Sequence, residues 1–310
     1  DKIFPGLNNF QISDDFSISG SISGPILPGR LTFYSSARVN QSKGWLNGLQ
    51  TFTIYGDTVF HDKNGNKYFD SGDEKKEPYH ASLNSFDSWS LQNKITFRPL
   101  PSTVLKLNSI INARSGQNYI HVLQMLENAQ LNNTNQGNLI NLSLSHSFSS
   151  RTFFQLNLSE HTYGYQSKLF DDPLDERYIT PDSLFWANVQ GTVPDYITEE
   201  YGDQVVYWPP YSFFRAGVDN RRFERETKTQ SMKFDFSSQV NKYNQIKIGF
   251  SVSRTKLTFD NYSILDSSQA DRVYTPYIPE VGSFPRDTYE FNPNEFAFYI
   301  QDKIEYGDMI

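Results

Sequence analysis

The sequence predicts an all-β fold, an antiparallel transmembrane β-barrel segment. Three observations carry this: apolar and polar residues alternate along the whole chain, connections alternate strictly between short and long, and no stretch is apolar enough for a spanning helix. Of 310 residues, 37% are hydrophobic, a modest value for a membrane protein, while Tyr (19) and Phe (25) are unusually abundant. A barrel strand meets lipid only at every second residue, so a polar average is expected. Cysteine is absent, which excludes a disulfide framework and thiolate metal sites. A formal charge of −7 argues against nucleic acid as a partner.

The alternation defines each strand in turn. Phe16, Ile18 and Ile22 open the series, and Leu31, Phe33, Ala37 and Val39 follow, opposite Thr32, Tyr34, Ser36 and Arg38. Trp89, Leu91, Ile95 and Phe97 share a face, as do Leu105, Leu107 and Ile111. Ile140, Leu142, Leu144 and Phe148 precede Phe154, Leu156 and Leu158. Met232, Phe234, Phe236 and Val240 come next, then Ile246, Ile248, Phe250 and Val252, and finally Phe296, Phe298, Ile300 and Ile304. The expectation is about nine strands, most near the ~9–11 residues of a tilted membrane strand.

Short connections are expected at 25–29, 99–102, 149–151, 241–245 and 306–308, and long ones at 41–85, 114–137, 163–228 and 261–292. A soluble sandwich, the rival reading, has no reason to gather every long loop at one end, whereas an outer-membrane barrel has short periplasmic turns and long outer loops. Residues 1–24 read as the passage into the first strand and 25–310 as barrel; both ends look cut. Trp45, Trp89, Phe97, Tyr163, Tyr243, Tyr262 and Tyr306 suit interfacial aromatic girdles.

Several hairpins carry more specific patterns. Ser17-Ile18-Ser19-Gly20-Ser21-Ile22-Ser23-Gly24-Pro25-Ile26 leads into Leu31-Thr32-Phe33-Tyr34. His146-Ser147-Phe148-Ser149-Ser150-Arg151-Thr152-Phe153-Phe154 forms a second pattern, and Asn241-Lys242-Tyr243-Asn244-Gln245-Ile246 a third. The run from Pro293 through Phe296, Phe298, Gln301 and Asp302 to Tyr306 is the most specific. Together they resemble the barrel of TonB-dependent outer-membrane receptors of the Oar-like type, which carry a carboxypeptidase-regulatory-like domain upstream. The resemblance implies an approximately 22-stranded barrel closed by an N-terminal plug. It also implies a Gram-negative outer membrane, contact with its lipid and lipopolysaccharide, energy coupling through TonB–ExbB–ExbD, and possible surface lipoprotein partners. The long loops carry none of these patterns.

Local motifs are few. Asp62, Asn64, Asn66, Asp70 and Asp73 place oxygen side chains at intervals that could wrap a structural Ca²⁺, although the same residues make up any solvated turn. No other cofactor is expected. Asp171–Tyr178 reads as an ordinary ordered loop, and the run Arg221, Arg222, Glu224, Arg225, Glu226 as a self-neutralising surface. Tyr119, Val122, Leu123, Leu126 and Ala129 have helical spacing, predicting a short amphipathic helix over the barrel mouth. Tyr207, Trp208, Tyr211, Phe213 and Phe214 in the third long loop are candidate ligand-binding aromatics, or equally the core of an ordered loop. The five His residues show no paired metal spacing, and no nucleophile elbow or phosphate loop occurs, so no enzyme is expected. Energy-coupled uptake of a scarce nutrient is the first functional expectation. An anchor for surface partners is the second, and a soluble glycan-binding β-protein the third.

Overall fold

A computed structural model of the chain describes residues 14–50, 54, 60–61, 67–69, 79–126, 128–175, 177–178, 217–266 and 276–304. The wall is a 10-stranded antiparallel sheet. It begins with β1 (Asp15–Leu27) and β2 (Leu31–Ser42). Between β2 and the next wall strand lie β3 (Asn47–Gln50), β4 (Phe60–His61), β5 (Lys67–Phe69) and β6 (Tyr79–Ser82), which form small hairpins. The wall resumes with β7 (Phe86–Leu100), β8 (Thr103–Gln117), β9 (Asn132–Ser147), β10 (Thr152–Lys168), β11 (Arg221–Gln239) and β12 (Asn244–Ser263). A small pair, β13 (Leu265–Asp266) with β14 (Pro276–Tyr277), precedes β15 (Arg286–Phe291) and β16 (Asn294–Ile304). Both β15 and β16 pair with β12, one above the other, and share one lateral position. Ten strands less that one duplication give nine lateral positions, matching the sequence count.

Turn chemistry fixes the short ends. Pro28 and Gly29 occupy the centre of the first turn, with Gly29 at φ 74 and the Arg30 N–H donating to the Leu27 carbonyl at 3.0 Å. Proline followed by a residue of positive φ is the signature of a type II turn. Asn241 Oδ1 accepts from the backbone N–H of Tyr243 (2.8 Å) and Asn244 (2.9 Å), an Asx turn. The expected turn at 306–308 lies outside the described residues.

The strands run further than predicted at the long-loop end. β9, β10, β11 and β12 have 16, 17, 19 and 20 residues, so 132–137, 163–168, 221–228 and 261–263 belong to strands, not loops. Hydrophobic alternation marks only the part of a strand that meets lipid. Above it the face that carried the apolar rows turns polar, and pairing such as Glu226↔Thr258 continues without that signal. The helix expected at 119–129 is also corrected: only His121–Leu123 is helical, a single 3₁₀ turn. The segment is pinned between β8 and β9, too short to repay α-helix nucleation. Its apolar residues do share a destination, since Leu123, Leu126 and Ala129 are all buried.

The buried core lies away from the sheet faces. Ile54, Leu123, Leu126, Ala129, Tyr178, Val218 and Ile264 form it, all contributed by the long connections. On the sheet, apolar residues fall into cross-strand rows instead. One row runs Leu31, Phe97, Leu105, Leu144, Leu156, Phe234, Phe250, Phe298, and the next Phe33, Ile95, Leu107, Leu142, Leu158, Met232, Val252, Phe296. These rows are not covered by the described residues: Ile95, Leu107, Leu158, Phe250, Phe296 and Phe298 are 36% to 77% exposed. On β2 the apolar stretch extends from Leu31 through Val39, towards the long loops, whereas on β12 it extends from Ile246 through Val252, mostly towards the short turns. An apolar band that crosses hydrogen-bonded rows obliquely is what tilted barrel strands in a level bilayer require.

Two expected girdle aromatics belong elsewhere. Tyr163 is on the polar face, its hydroxyl donating to Asn135 Oδ1 at 2.8 Å, and Tyr262 packs against the loop core. Leu156→Arg, in the centre of the apolar row, is expected to cost ~2–4 kcal/mol and to reduce the folded, heat-modifiable band on cold SDS gels. Asn157→Arg, one residue on and facing the other way, should leave that band unchanged.

Candidate functional site

The face opposite the apolar rows is built for water or protein. Ser17 Oγ donates to Asn40 Oδ1 (2.6 Å), and Asn40 Nδ2 donates to Ser88 Oγ (3.1 Å), linking β1, β2 and β7. Ser159 and Ser231 hydroxyls are 2.7 Å apart, and those of Thr229 and Thr255 3.1 Å, continuing the ladder through β12. Short polar side chains that satisfy one another across strands keep this face flat. Gly249 adds a local device. With no side chain there, the Tyr299 ring crosses β12 and its hydroxyl donates to Asp235 on β11 at 2.7 Å; a Cβ on Gly249 would collide with that ring.

Towards the long loops the same face becomes aromatic. Tyr165 and Phe223 rings are 5.4 Å apart, Phe223 and Phe259 5.2 Å, and Phe259 and Tyr289 stack at 5.0 Å. Two recesses open at this end. One, of about 450 Å³, is lined by Phe86, Gln117, Asn128, Gln130, Phe170 and Arg177 among others; the second, of about 410 Å³, is lined mainly from the opposite face of β11, β12 and β15, by Glu224, Thr258, Asp260, Thr288 and Glu290 with Val281. Both fall in the size range of small-ligand sites.

The 170–178 loop is held by one arginine. Arg222 Nη1 donates to the Phe170 carbonyl (2.6 Å) and the Tyr178 hydroxyl (2.9 Å), and Nη2 donates to the Asp171 carbonyl (3.1 Å). Tyr178 is fully buried, and its hydroxyl also accepts from the Phe170 N–H at 3.0 Å. Arg177 clasps Asp175 with two hydrogen bonds of 2.9 and 2.7 Å and lies 4.0 Å over the Phe170 ring. The 171–178 segment is thus the ordered loop expected. The charged run on β11 behaves differently from its sequence reading. Strand alternation sends neighbours to opposite faces, so the partners come from elsewhere: Asp219 for Arg221, the 170–178 loop for Arg222, and Gln166 for Glu224.

Of the sequence-derived sites, Asp62, Asn64, Asn66, Asp70 and Asp73 lie outside the described residues, as do Tyr207, Trp208, Tyr211, Phe213 and Phe214. Among the described residues no group of His, Asp and Glu is placed to hold a metal ion. The aromatic run on β10, β11, β12 and β15 went unnoticed in the sequence because its members are far apart along the chain.

No protein-family model matches the chain, and no curated protein sequence does. Solved structures do. The outer-membrane transporter YddB from Escherichia coli matches with a TM-score of 0.54 at 9% identity, over 94% of this chain and 32% of YddB. The P. aeruginosa protein FpvA, bound to heterologous pyoverdines, matches with a TM-score of 0.53 at 11% identity, over 95% of this chain and 34% of FpvA. The fold is that of an outer-membrane transporter barrel wall. The chain spans about a third of the length of each.

Arg222→Ala is expected to leave the Tyr178 hydroxyl and the Phe170 carbonyl buried without their charged donor. The local cost is about 1–3 kcal/mol, read as faster amide exchange across 169–178. A pH effect follows from Asp175, whose carboxyl the Arg177 guanidinium holds below its ordinary value of 3.8. A depressed folded-state pKa means that the pair's contribution is complete above the unfolded value and is lost as pH falls through the lower, folded one. Protease protection of the 169–178 segment should therefore persist at about pH 5 and fall only in stronger acid. In Asp175→Asn this acid-side loss should be absent.

Proposed function

We propose that this chain forms part of the barrel of a TonB-dependent outer-membrane receptor of the Oar-like type, in a Gram-negative-type bacterium. The observation that carries the reading is a sheet with uncovered apolar rows on one face, a polar ladder on the other, and long, self-packed loops at one end only. The likeness in fold to YddB and FpvA supports it, as do the hairpin patterns at 146–154, 241–246 and 293–306. In this reading the apolar rows meet lipid and lipopolysaccharide, and the polar face lines a lumen filled by a plug. The outer loops capture a scarce nutrient, and the TonB–ExbB–ExbD complex supplies the energy to move the plug. The protein's work is binding and gating, without a covalent step. The aromatic run ending at Tyr289 and the candidates Tyr207, Trp208, Tyr211, Phe213 and Phe214 would contact the ligand. Asp62, Asn64, Asn66, Asp70 and Asp73 would stiffen the first long loop by holding Ca²⁺.

A second reading, an anchor for surface lipoproteins, is favoured by Val281 and Phe284, which stand 69% and 106% exposed on the loop before β15. Growth of a gene-deletion strain on a panel of limiting nutrients separates the two. The receptor reading expects loss of growth on one nutrient, reproduced by loss of TonB. Unchanged growth throughout, with a stable surface partner recovered on Val281→Ser/Phe284→Ser-sensitive pull-down, would establish the anchor instead.

A further inference from the structure

The polar face carries a basic stripe that no described residue of the chain neutralises. Arg38 on β2, Lys94 and Arg98 on β7, and Lys106 and Arg114 on β8 all project from this face and are all exposed. No carboxylate lies within ion-pair distance of any of them among the described residues. The register spreads them along the wall. Lys106 is opposite Thr96 and Ser143, Lys94 opposite Tyr34 and Asn108, Arg38 opposite Ser19 and Ser90, and Arg114 opposite Ser88 and Asn135. No two of these cations oppose each other directly, which keeps their mutual repulsion low. The stripe thus runs from the short turns at Arg98 to the loop end at Arg114.

The strands beside it carry no further cation on this face. On β1 it presents Ser17, Ser19, Ser21 and Ser23, with Asp15 at the loop end accepting from Ser42, and on β9 only uncharged residues from Asn133 to Ser145. Further along, Lys233 on β11 has Asp235 at 3.5 Å, and Arg225 and Lys247 lie on the same face of β11 and β12. The chain as a whole is acidic, at −7, so a bare basic stripe is not a consequence of composition.

We infer that the protein domain filling the lumen presents a carboxylate-rich face to β2, β7 and β8, and that Arg38, Lys94, Lys106 and Arg114 dock it; this rests on the plugged-barrel reading above. The alternative counter-charge, a mobile anionic cargo, is absent for most of the working cycle. A lumen packed with protein would then hold these cations desolvated and unpaired, which costs more than an occasional ligand returns. Fixed carboxylates remove that cost permanently and set the orientation of the filling domain, since β1 and β9 on either side offer it no competing cation.

Carbodiimide coupling of the full-length protein in its native outer membrane tests this directly. The reagent activates a carboxylate and a contacting lysine amine displaces it, forming an amide while the carbodiimide leaves as its urea. Lys94 and Lys106 are expected to appear joined to Asp or Glu of the lumen-filling domain, and K94Q or K106Q to remove the corresponding linked peptide. Lys233, joined to Asp235, is the internal control. Absence of links from both Lys94 and Lys106 while the control forms would overturn the inference. So would slowing of their acetylation by added inorganic phosphate without any link, which would identify a mobile anion. An ion-conducting, empty lumen in planar bilayers would instead overturn the parent reading, and is distinguishable because a lumen filled by protein without these links does not conduct.

Discussion

The wall depends on an apolar face that no part of the protein covers. A soluble sheet of this size would be driven to bury Phe234, Phe250 and Phe298 under a second layer; here they stand in rows across strand after strand with nothing above them. Hydrocarbon is the solvent that makes such a face stable, and it imposes the rest of the design. With no water in the bilayer core, every backbone group on these strands must be paired laterally, which explains long, continuous ladders such as the one between β11 and β12. It also explains why the buried core sits in the loops, where water again rewards apolar burial.

The polar face answers the same constraint from the other side. Because the strands cannot pack through the lipid face, register and curvature must be held on the lumen face. Ser17, Asn40 and Ser88 do this by bridging strands, and Tyr299 by spanning the gap at Gly249 to reach Asp235. At the loop end aromatic rings replace the hydroxyls. There the wall leaves the membrane, and Arg222 ties the 170–178 loop to β11 through carbonyls and a buried tyrosine. A loop anchored to a strand at one point, and otherwise packed on other loops, is stiff at its base.

Much of the wall was legible in the sequence because lipid contact writes a period of two. Leu142, Leu144 and Leu156, Leu158 needed no structure to be assigned to one face. The same rule explains the errors. Above the membrane β11 is polar on both faces apart from Phe223, so Arg221–Lys228 looked like loop, and the signs of its charges looked mutually neutralising when alternate residues in fact point to opposite sides. The helical spacing at 119–129 likewise reported shared burial correctly and conformation wrongly, because burial in a loop core imposes no backbone period. What lay beyond the sequence was lateral order. Tyr165, Phe223, Phe259 and Tyr289 become neighbours only once four strands are set in register.

The basic stripe illustrates the same limit and its use. Arg38, Lys94, Lys106 and Arg114 are each an ordinary polar-face residue within one strand; side by side they are a field. Selection for solubility does not explain the arrangement, since the face is enclosed in any closed barrel and the exposed loops already carry the chain's negative charge. Selection for wall stability does not explain it either, because serine and asparagine on β1 and β9 build the ladder without charge. A role toward something inside the barrel is what remains, and it is one that an isolated wall cannot satisfy.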